Sequence, residues 1–217
     1  MKSNSELQQD VEEAIRWEPA MHDSEIGVTV EDGVVTLSGT VNSYCKKLNA
    51  ENAAKKVMGV KAIIEEITID YGTSFVRNDT EIATDVSNTW KNNRDVPKNN
   101  LKVIVEDGWV RLEGDIDWKY QEDSFRDSIN RVIGVKGVIS LIKIKPTSTK
   151  VLEKTEVENA LRRNWAINSK DVVVQVNRNM LKLTGLVNSL YQKEEATRLA
   201  WNAPGVIFVK NDLEIIY

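Results

Sequence analysis

The feature that most constrains the fold is a stretch that recurs three times along the chain. EDGVVTLSGTVNS at 31–43 returns as EDGWVRLEGDIDW at 106–118 and as NRNMLKLTGLVNS at 177–189. All three copies have a glycine at their ninth position, and another glycine follows it 20 positions later. The pairs are Gly39 and Gly59, Gly114 and Gly134, and Gly185 and Gly205. Such recurrence indicates one structural unit that is used three times.

Each copy predicts a β-hairpin. Six positions before the first glycine stand Gly33, Gly108 and Asn179, residue types that tolerate the positive φ of a tight turn. Apolar residues alternate with polar ones on both sides of this turn, which is typical of strands with one buried face. The first glycine of each pair falls in the inward column. Its missing side chain predicts the close approach of another element, for which a crossing helix is the simplest candidate.

Helical spacing of apolar residues predicts a helix on each side of the hairpin and a third strand at the end of each unit. We expect Asn42, Asp117 and Asn188 to cap the second helices and the second glycine of each pair to end them. The unit is therefore α-β-β-α-β. KNNRDVPKNNL at 91–101 adds four residues to the second unit, and its composition predicts a loop.

This pattern resembles the BON domain, through EDGVVTLSGTV, EDGWVRLEGDI and NRNMLKLTGLV and the GV pairs that follow each of them. The resemblance implies an α+β fold of three tandem α-β-β-α-β repeats, each a three-stranded mixed sheet packed against two helices. We place the repeats at 1–72, 73–146 and 147–217. Members of that family look like bacterial envelope-maintenance and osmotic stress proteins, and the resemblance implies binding to phospholipid or membrane surfaces.

Composition argues against several other classes of protein. No apolar run approaches the roughly 18 residues of a membrane-spanning helix, and the first residues lack the apolar stretch of a signal peptide. The sequence as written therefore predicts a cytoplasmic protein, or a periplasmic one if a leader was removed. The lone histidine, His22, and the lone cysteine, Cys45, support neither a catalytic nor a metal site. We expect no enzyme, cofactor or metal.

Charge differs between the repeats. The first carries a net charge of −6, the second 0 and the third +2. Basic residues of the third repeat are candidates for contact with anionic lipid, although an ordinary solvated surface is the simpler explanation for them. They are Arg162, Arg163, Lys182, Lys193 and Arg198. The acidic total and the absence of a dense basic stripe argue against nucleic acid.

Tryptophan supplies the other candidate contacts. Trp90 and Trp165 occupy one column at the end of the first helix of their repeats, where helical spacing favours core packing over exposure at a lipid or partner surface. Trp109, beside the turn, and Trp118, beside the helix cap, lie outside the inward columns and are the better contact candidates.

Two classes of function follow from these observations. The first is a surface-binding protein whose partner is anionic phospholipid. The second is a protein–protein adaptor or oligomerisation module, in which three related but differently charged surfaces bind a protein partner.

Overall fold

The computed structural model describes residues 2–72, 76–146, 152–164 and 172–216. In each repeat a helix is followed by a hairpin, a second helix and a third strand, which confirms the predicted fold class. The first repeat contains α1 (Asn4–Arg16), β1 (Ile26–Glu31), β2 (Val34–Val41), α2 (Tyr44–Lys56) and β3 (Ala62–Ile69). The second contains α3 (Asp79–Asn92), β4 (Leu101–Glu106), β5 (Trp109–Ile116), α4 (Lys119–Ile129) and β6 (Gly137–Ile144). The third contains α5 (Lys154–Arg163), β7 (Val172–Asn177), β8 (Met180–Val187), α6 (Leu190–Trp201) and β9 (Phe208–Ile215).

The three strands of each repeat form one sheet, with the second strand of the hairpin at its centre. β4 pairs with β5 in antiparallel fashion, and β6 pairs with β5 in parallel. The third repeat has the same arrangement, with β7 antiparallel and β9 parallel to β8. A parallel third strand needs a crossover, and the second helix of each repeat provides it.

The hairpin turns have the predicted chemistry. Asp32 and Gly33 have φ values of 49° and 83°, and Asp107 and Gly108 have values of 51° and 81°. Two successive positive φ angles define the tight turn whose twist matches that of the flanking strands. The turn also receives a bond from the chain that leads into the third strand, because Lys61 N–H donates to the Gly33 carbonyl at 2.8 Å.

The inward columns of the strands pack against the helices as predicted. In the third repeat the core joins α5 and α6 to all three strands, and the small residues of α6 lie directly on the sheet. Its most deeply buried members are Val157, Val174, Leu181, Leu183, Ala196, Ala200 and Leu213. The opposite face of each sheet carries the alternate side chains.

The interpretation of the inward glycines was wrong in its cause. Gly39, Gly114 and Gly185 have φ values of 132°, 129° and 119°, a region that other residues rarely adopt. A Cβ at Gly39 would lie 2.5 Å from the Glu25 carbonyl oxygen, and one at Gly114 would lie 1.9 Å from the Asn100 carbonyl oxygen. At Gly39 and Gly114 the closest approach is therefore that of backbone at the start of the neighbouring strand, and not that of a crossing helix.

The predicted helix caps were wrong by one residue. α2 begins at Tyr44, and the Ser43 hydroxyl accepts from Lys46 N–H at 3.3 Å. In the third repeat the Ser189 hydroxyl accepts from Gln192 N–H at 3.2 Å. The hydroxyl next to the first helical residue is in register for a cap, whereas Asn42, Asp117 and Asn188 stand one position too early. In the second repeat this position is Trp118, which has no acceptor.

The inserted segment of the second repeat forms a loop over 93–100, as its composition predicted, and the structure shows that this loop is packed against its neighbours. Val96 is buried, and the Pro97 carbonyl accepts from Trp90 Nε1 at 3.0 Å. Asn93, the residue after α3, donates from Nδ2 to the Ser124 and Ser128 hydroxyls at 2.9 and 3.0 Å. These bonds fasten the start of the loop to α4.

Grouped by proximity, the residues form two compact units. One contains Met1–Gly39, Leu48–Ile67 and Ser148–Tyr217. The other contains Thr40–Lys47 and Thr68–Thr147. The first repeat therefore contributes to both units, and the repeat boundaries at 72/73 and 146/147 stay a prediction.

Candidate binding surfaces

The outer face of the second sheet is the side that its two helices leave open. Alternation along the strands places one set of side chains there, opposite the buried set that contains Val110 and Leu112. The set consists of Lys102, Ile104 and Glu106 of β4, Trp109, Arg111, Glu113 and Asp115 of β5, and Gly137, Ile139, Leu141 and Lys143 of β6. We call this set the outer face of the second sheet.

Trp109 lies flat on this face because its cross-strand neighbour is a glycine. The two residues are paired in register, and a Cβ at Gly137 would lie 2.3 Å from Trp109 Cζ3. The indole therefore occupies the space above Gly137 and is still 49% exposed. Ile139 and Leu141, further along β6, are also about half exposed. Together they form an apolar strip along the edge of the sheet.

Charged groups surround this strip. Arg111 pairs with Ile139 across the sheet, and its Nε lies 3.0 Å from Glu113 Oε1. Lys102 and Lys143 are exposed, and among the described residues neither has an ion pair. The face thus joins an exposed indole and aliphatic side chains to cationic groups that remain accessible to anions.

Ile139 and Leu141 were missed by the sequence reasoning, although a signal for them exists. β6 reads GVISLIKI, with apolar residues in the outward column as well as the inward one. In the corresponding strands, AIIEEITI and FVKNDLEI, the last two residues of the outward column are polar. A strand that is apolar on both faces indicates either double burial or an exposed apolar surface, and here it is the second.

The other tryptophan candidates do not belong to this face. The Trp90 ring packs against Phe125 with ring centroids 5.5 Å apart, and its N–H is bonded to the Pro97 carbonyl. Trp90 therefore lies at the edge of the core, in the position that helical spacing favours. Trp118 is half-buried where β5 passes into α4. Trp165 lies outside the described residues.

The structure does not bring the basic candidates of the third repeat onto one surface. Lys182 lies on the outer side of β8, opposite the helices, and its Nζ is 3.4 Å from Asp212 Oδ2. Arg198 on α6 forms two bonds of 2.7 Å with the Glu195 carboxylate. These bonds from Arg198 hold the pKa of Glu195 below its usual value. Part of the predicted positive charge is therefore neutralised by acidic neighbours.

The remaining basic candidates lie on helices. Arg162 and Arg163 are exposed in the last turn of α5, whereas Lys193 is half-buried in the first half of α6. None of the three has an ion pair among the described residues. They remain individual candidates for contact with anionic lipid.

The described residues offer little to catalysis or to a membrane span. They contain no group of three or more His, Cys, Asp or Glu side chains placed to hold a metal ion. His22 is exposed, and Cys45 is half-buried. Among the same residues we find no helix whose length and hydrophobicity would suffice to cross a lipid bilayer.

A family model of the BON domain matches the chain three times, at residues 3–71, 78–146 and 154–217. The chain belongs to the BON domain family. The three matches coincide with the three α-β-β-α-β repeats, so we refer to these as BON repeats.

Two curated relatives carry informative names. Osmotically-inducible protein Y of Escherichia coli is 31% identical over 126 residues, which cover 56% of this chain and 63% of that protein. Outer membrane lipoprotein DolP of Haemophilus influenzae is 32% identical over 114 residues, covering 52% and 58% respectively. The chain thus spans less than two thirds of the length of either relative. Neither name describes an enzyme.

Among solved structures, CdsD, a structural protein of the type III secretion system of Chlamydia trachomatis, aligns over 97% of this chain and 92% of that chain. The identity is 15% and the TM-score is 0.26.

Two ends of a BON repeat matter for contacts between repeats. We call the passage from the hairpin into the second helix, together with the residues that follow the third strand, the junction end. In the first repeat it comprises 42–45 and 70–72. We call the hairpin turn, together with the passage from the second helix into the third strand, the turn end. In the first repeat it comprises 32–33 and 55–61.

The junction end of the first BON repeat contacts the turn end of the second, within one of the two compact units. Tyr71 Oη accepts from Tyr44 N–H at 3.3 Å and donates to the Val135 carbonyl at 2.5 Å. Burial of the phenol raises the pKa of Tyr71 above its usual value of 10.0. A cavity of about 360 Å³ lies at this contact. Its walls are Asn42, Ser43, Cys45 and Tyr71 on one side and Asn130, Arg131, Val132 and Ile133 on the other.

The junction end of the third BON repeat meets the turn end of the first, within the other compact unit. Beside this contact, on α6, Glu194 Oε1 lies 2.8 Å from Lys55 Nζ, which is also 2.8 Å from Glu51 Oε1. Burial alone would lower the pKa of Lys55, but hydrogen bonds with Glu194 and Glu51 outweigh it and raise the pKa. A cavity of about 260 Å³ is lined there by Gly33, Met58, Gly59 and Lys61 from the turn end and by Asn188 and Ile216 from the third repeat, with Lys2, Asn4, Leu7 and Asp32 completing it.

Proposed function

We propose that this chain is a non-enzymatic surface-binding protein of the bacterial envelope-stress type, and that it binds anionic phospholipid surfaces through the outer face of the second sheet. The observation that carries the proposal is Trp109, which lies flat over Gly137 and is half exposed beside Ile139 and Leu141. Indole is suited to such half-wet positions, and tryptophan is enriched at the boundary between lipid and water.

The same face carries three basic and three acidic side chains, so any attraction to an anionic partner comes from individual lysines and not from a net positive charge. Lys102 and Lys143 flank the apolar strip, and each basic residue near an anionic membrane contributes on the order of 1 kcal/mol. Because Glu106, Glu113 and Asp115 share the face, the attraction is modest, and we expect it to weaken as salt screens it. The apolar strip must then supply the rest of the affinity.

The names of the two relatives support the cellular setting. One is called osmotically inducible and the other an outer membrane lipoprotein. Both names suit a protein that acts at the cell envelope under osmotic stress, and we propose that setting for this chain.

A protein–protein adaptor is the second candidate, because the same face also fits it. Tryptophan and arginine dominate the energetics of many protein interfaces, and Trp109 and Arg111 stand side by side on this sheet. An adaptor needs no anionic lipid, so vesicle binding separates the two functions.

The test is co-sedimentation with vesicles of anionic and of neutral phospholipid, over a series of salt concentrations. We expect binding to anionic vesicles that weakens with salt. Full burial of a large apolar side chain contributes roughly 2–3 kcal/mol, and about half of the Trp109 surface is already covered. Trp109→Ala should therefore weaken binding about fivefold, equivalent to about 1 kcal/mol.

Trp17→Ala is the matched control, because Trp17 is 83% exposed on another repeat, at the end of α1. It should leave vesicle binding unchanged. Failure of the unmodified chain to bind anionic vesicles at low salt contradicts the lipid proposal and favours the adaptor. Equal losses in the two variants show that tryptophans act wherever they are exposed, which contradicts the assignment to the second sheet.

A further inference from the structure

The third strand of each BON repeat lies at the edge of its sheet, so one row of its backbone N–H and C=O groups pairs with no strand among the described residues. Such a row can accept a further strand, and natural proteins usually block it. Just beyond β6, the Lys145 N–H donates to the Ile116 carbonyl of β5. Alternate N–H groups point to opposite sides of a strand, so those of Val138, Ser140 and Ile142 point to the free edge.

Two of the three edges are closed by a polar side chain of the strand itself. In β3 the Ile67 N–H donates to Glu65 Oε1 at 2.8 Å, and in β9 the Leu213 N–H donates to Asn211 Oδ1 at 3.0 Å. Asn211 is also fixed to α6, because its Nδ2 donates to the Lys193 carbonyl at 2.8 Å. An edge N–H that is satisfied in this way, beside an inward-pointing polar side chain, is not available to a further strand.

The edge of β6 is less well closed. Ser140 stands in the column of the two blocking side chains, and its hydroxyl accepts from the Ile142 N–H at 3.4 Å, near the limit for a hydrogen bond. The outward neighbours of this serine, Ile139 and Leu141, are 45% and 55% exposed. Each of the three edge bonds lies within a single sheet, so the difference between the edges does not depend on contacts between repeats. Of the three edges, that of β6 is the one suited to strand addition.

The sequence of β6 is complementary to itself. In an antiparallel pair of two such strands centred on Ser140, Ile139 of each copy lies opposite Leu141 of the other. These positions are not hydrogen-bonded across the new pair, which brings their Cβ atoms closest together, to about 5 Å. Lys143, the one charged residue of β6, lies opposite Gly137 and meets no like charge. Registers centred one residue to either side give only one aliphatic pair on this face.

We propose that β6 pairs with β6 of a second copy of this chain, antiparallel and centred on Ser140, so that two three-stranded sheets join into one of six strands. Backbone hydrogen bonds between the copies replace the weak bond to the serine hydroxyl, and the outward aliphatic side chains gain partners. The interface is isologous and closes after two copies, because each contributes the same strand. Its two-fold axis is perpendicular to the sheet, so both copies present Trp109 on the same side. The inference goes beyond the proposed function and does not depend on lipid binding.

Disulfide trapping tests the register. In a Cys45→Ser background, Ile139→Cys and Leu141→Cys are made in separate chains and oxidised alone and after mixing. We expect the mixture to give a disulfide-linked dimer of the two different chains, and each chain alone to give several times less, because like positions lie diagonally across the pair. Leu141→Cys mixed with Lys143→Cys is the matched control. These two positions share a face but are out of register, so equal yields in the two mixtures overturn the proposal.

Sedimentation equilibrium over a range of concentrations provides the second measurement. We expect the average mass of the unmodified chain to rise from that of one copy towards that of two. Ile139→Lys should raise the dissociation constant about tenfold, because the substitution enters the interface twice and places a charge opposite Leu141 each time. Ile64→Lys, at the same column of β3 and 48% exposed, is the matched control and should leave the constant unchanged.

Circular dichroism checks the folding of both lysine variants. Disulfide trapping needs neither of them, so a folding defect in Ile139→Lys leaves the proposal open to refutation. A monomer at every concentration overturns the proposal, and so do equal effects of Ile139→Lys and Ile64→Lys. A chain that stays monomeric and binds an extended foreign peptide along β6 overturns the choice of a second copy as the partner.

Discussion

Replacing Gly114 by alanine tests the correction to the role of the repeated glycines. The φ of 129° is unfavourable for any residue with a Cβ and costs about 1–3 kcal/mol. The new Cβ would also lie 1.9 Å from the Asn100 carbonyl oxygen, which must move. That oxygen accepts from Asp115 N–H at 3.1 Å, and the loss of such a bond costs about 1 kcal/mol. We therefore expect the second BON repeat to be destabilised by about 2–4 kcal/mol.

Hydrogen exchange read by mass spectrometry is the suitable assay, since a chain of several repeats need not unfold in one step. Protection of β4 and β5 should fall, while protection of β7 and β8 in the third repeat stays as it was. Gly72→Ala is the matched control, because φ is 71° there and no described atom lies within 4 Å of the added Cβ. Gly72→Ala therefore incurs only the cost of placing a residue with a Cβ at positive φ, about 1 kcal/mol.

Gly39→Ala should destabilise its repeat by less than Gly114→Ala and by more than Gly72→Ala, because its added Cβ would lie 2.5 Å from the Glu25 carbonyl oxygen. Equal losses of hydrogen-exchange protection in Gly114→Ala and Gly72→Ala would refute the reasoning, since they would leave no role for the clash between strands. A loss of protection confined to α4 would restore the crossing helix as the neighbour that matters.

Two further predictions concern the contacts between repeats. Tyr71→Phe should cost about 1 kcal/mol through loss of the bond to the Val135 carbonyl. Because folding raises the pKa of Tyr71, the contribution of this residue to stability is fully present below pH 10.0 and is lost as the pH rises through the folded-state pKa. In chemical denaturation at increasing alkaline pH, the free energy of unfolding of the unmodified chain should therefore approach that of Tyr71→Phe. A constant difference between the two would contradict this coupling. Lys55→Gln should lower stability by up to about 1 kcal/mol at low salt and by less at high salt, measured by thermal unfolding, whereas Lys56→Gln, at the exposed neighbouring position, should do neither. Equal effects at the two lysines would show that the ion pairs of Lys55 with Glu51 and Glu194 contribute nothing.

Much of each repeat could be read from the sequence because it depends on local chemistry. Asp32 and Gly33 form their turn with positive φ wherever two strands must be joined by two residues. The inward columns of the strands follow from the period of two, and burial confirms them in Val35, Leu37 and Leu183. The helix starts were placed one residue early because side chains of both Asn42 and Ser43 are chemically able to cap, and only the backbone geometry selects between them.

The surfaces depend on which elements meet in space, and there local reasoning was insufficient. Trp109 was a candidate from the sequence, but Gly137 beneath it and Ile139, the next outward residue, come from a strand that pairs in parallel about 28 residues further on. Likewise Tyr71 and Val135 are 64 residues apart, so nothing near either residue predicts their bond.

The sequence by itself thus determined three hairpins, six helices and their inward faces, since the turn and the periodicity of each are written within a few residues. Only the tertiary structure decided which outward side chains share a surface and which ends of the repeats meet. Those contacts are made between segments far apart in the chain, through side chains whose local patterns are compatible with many arrangements.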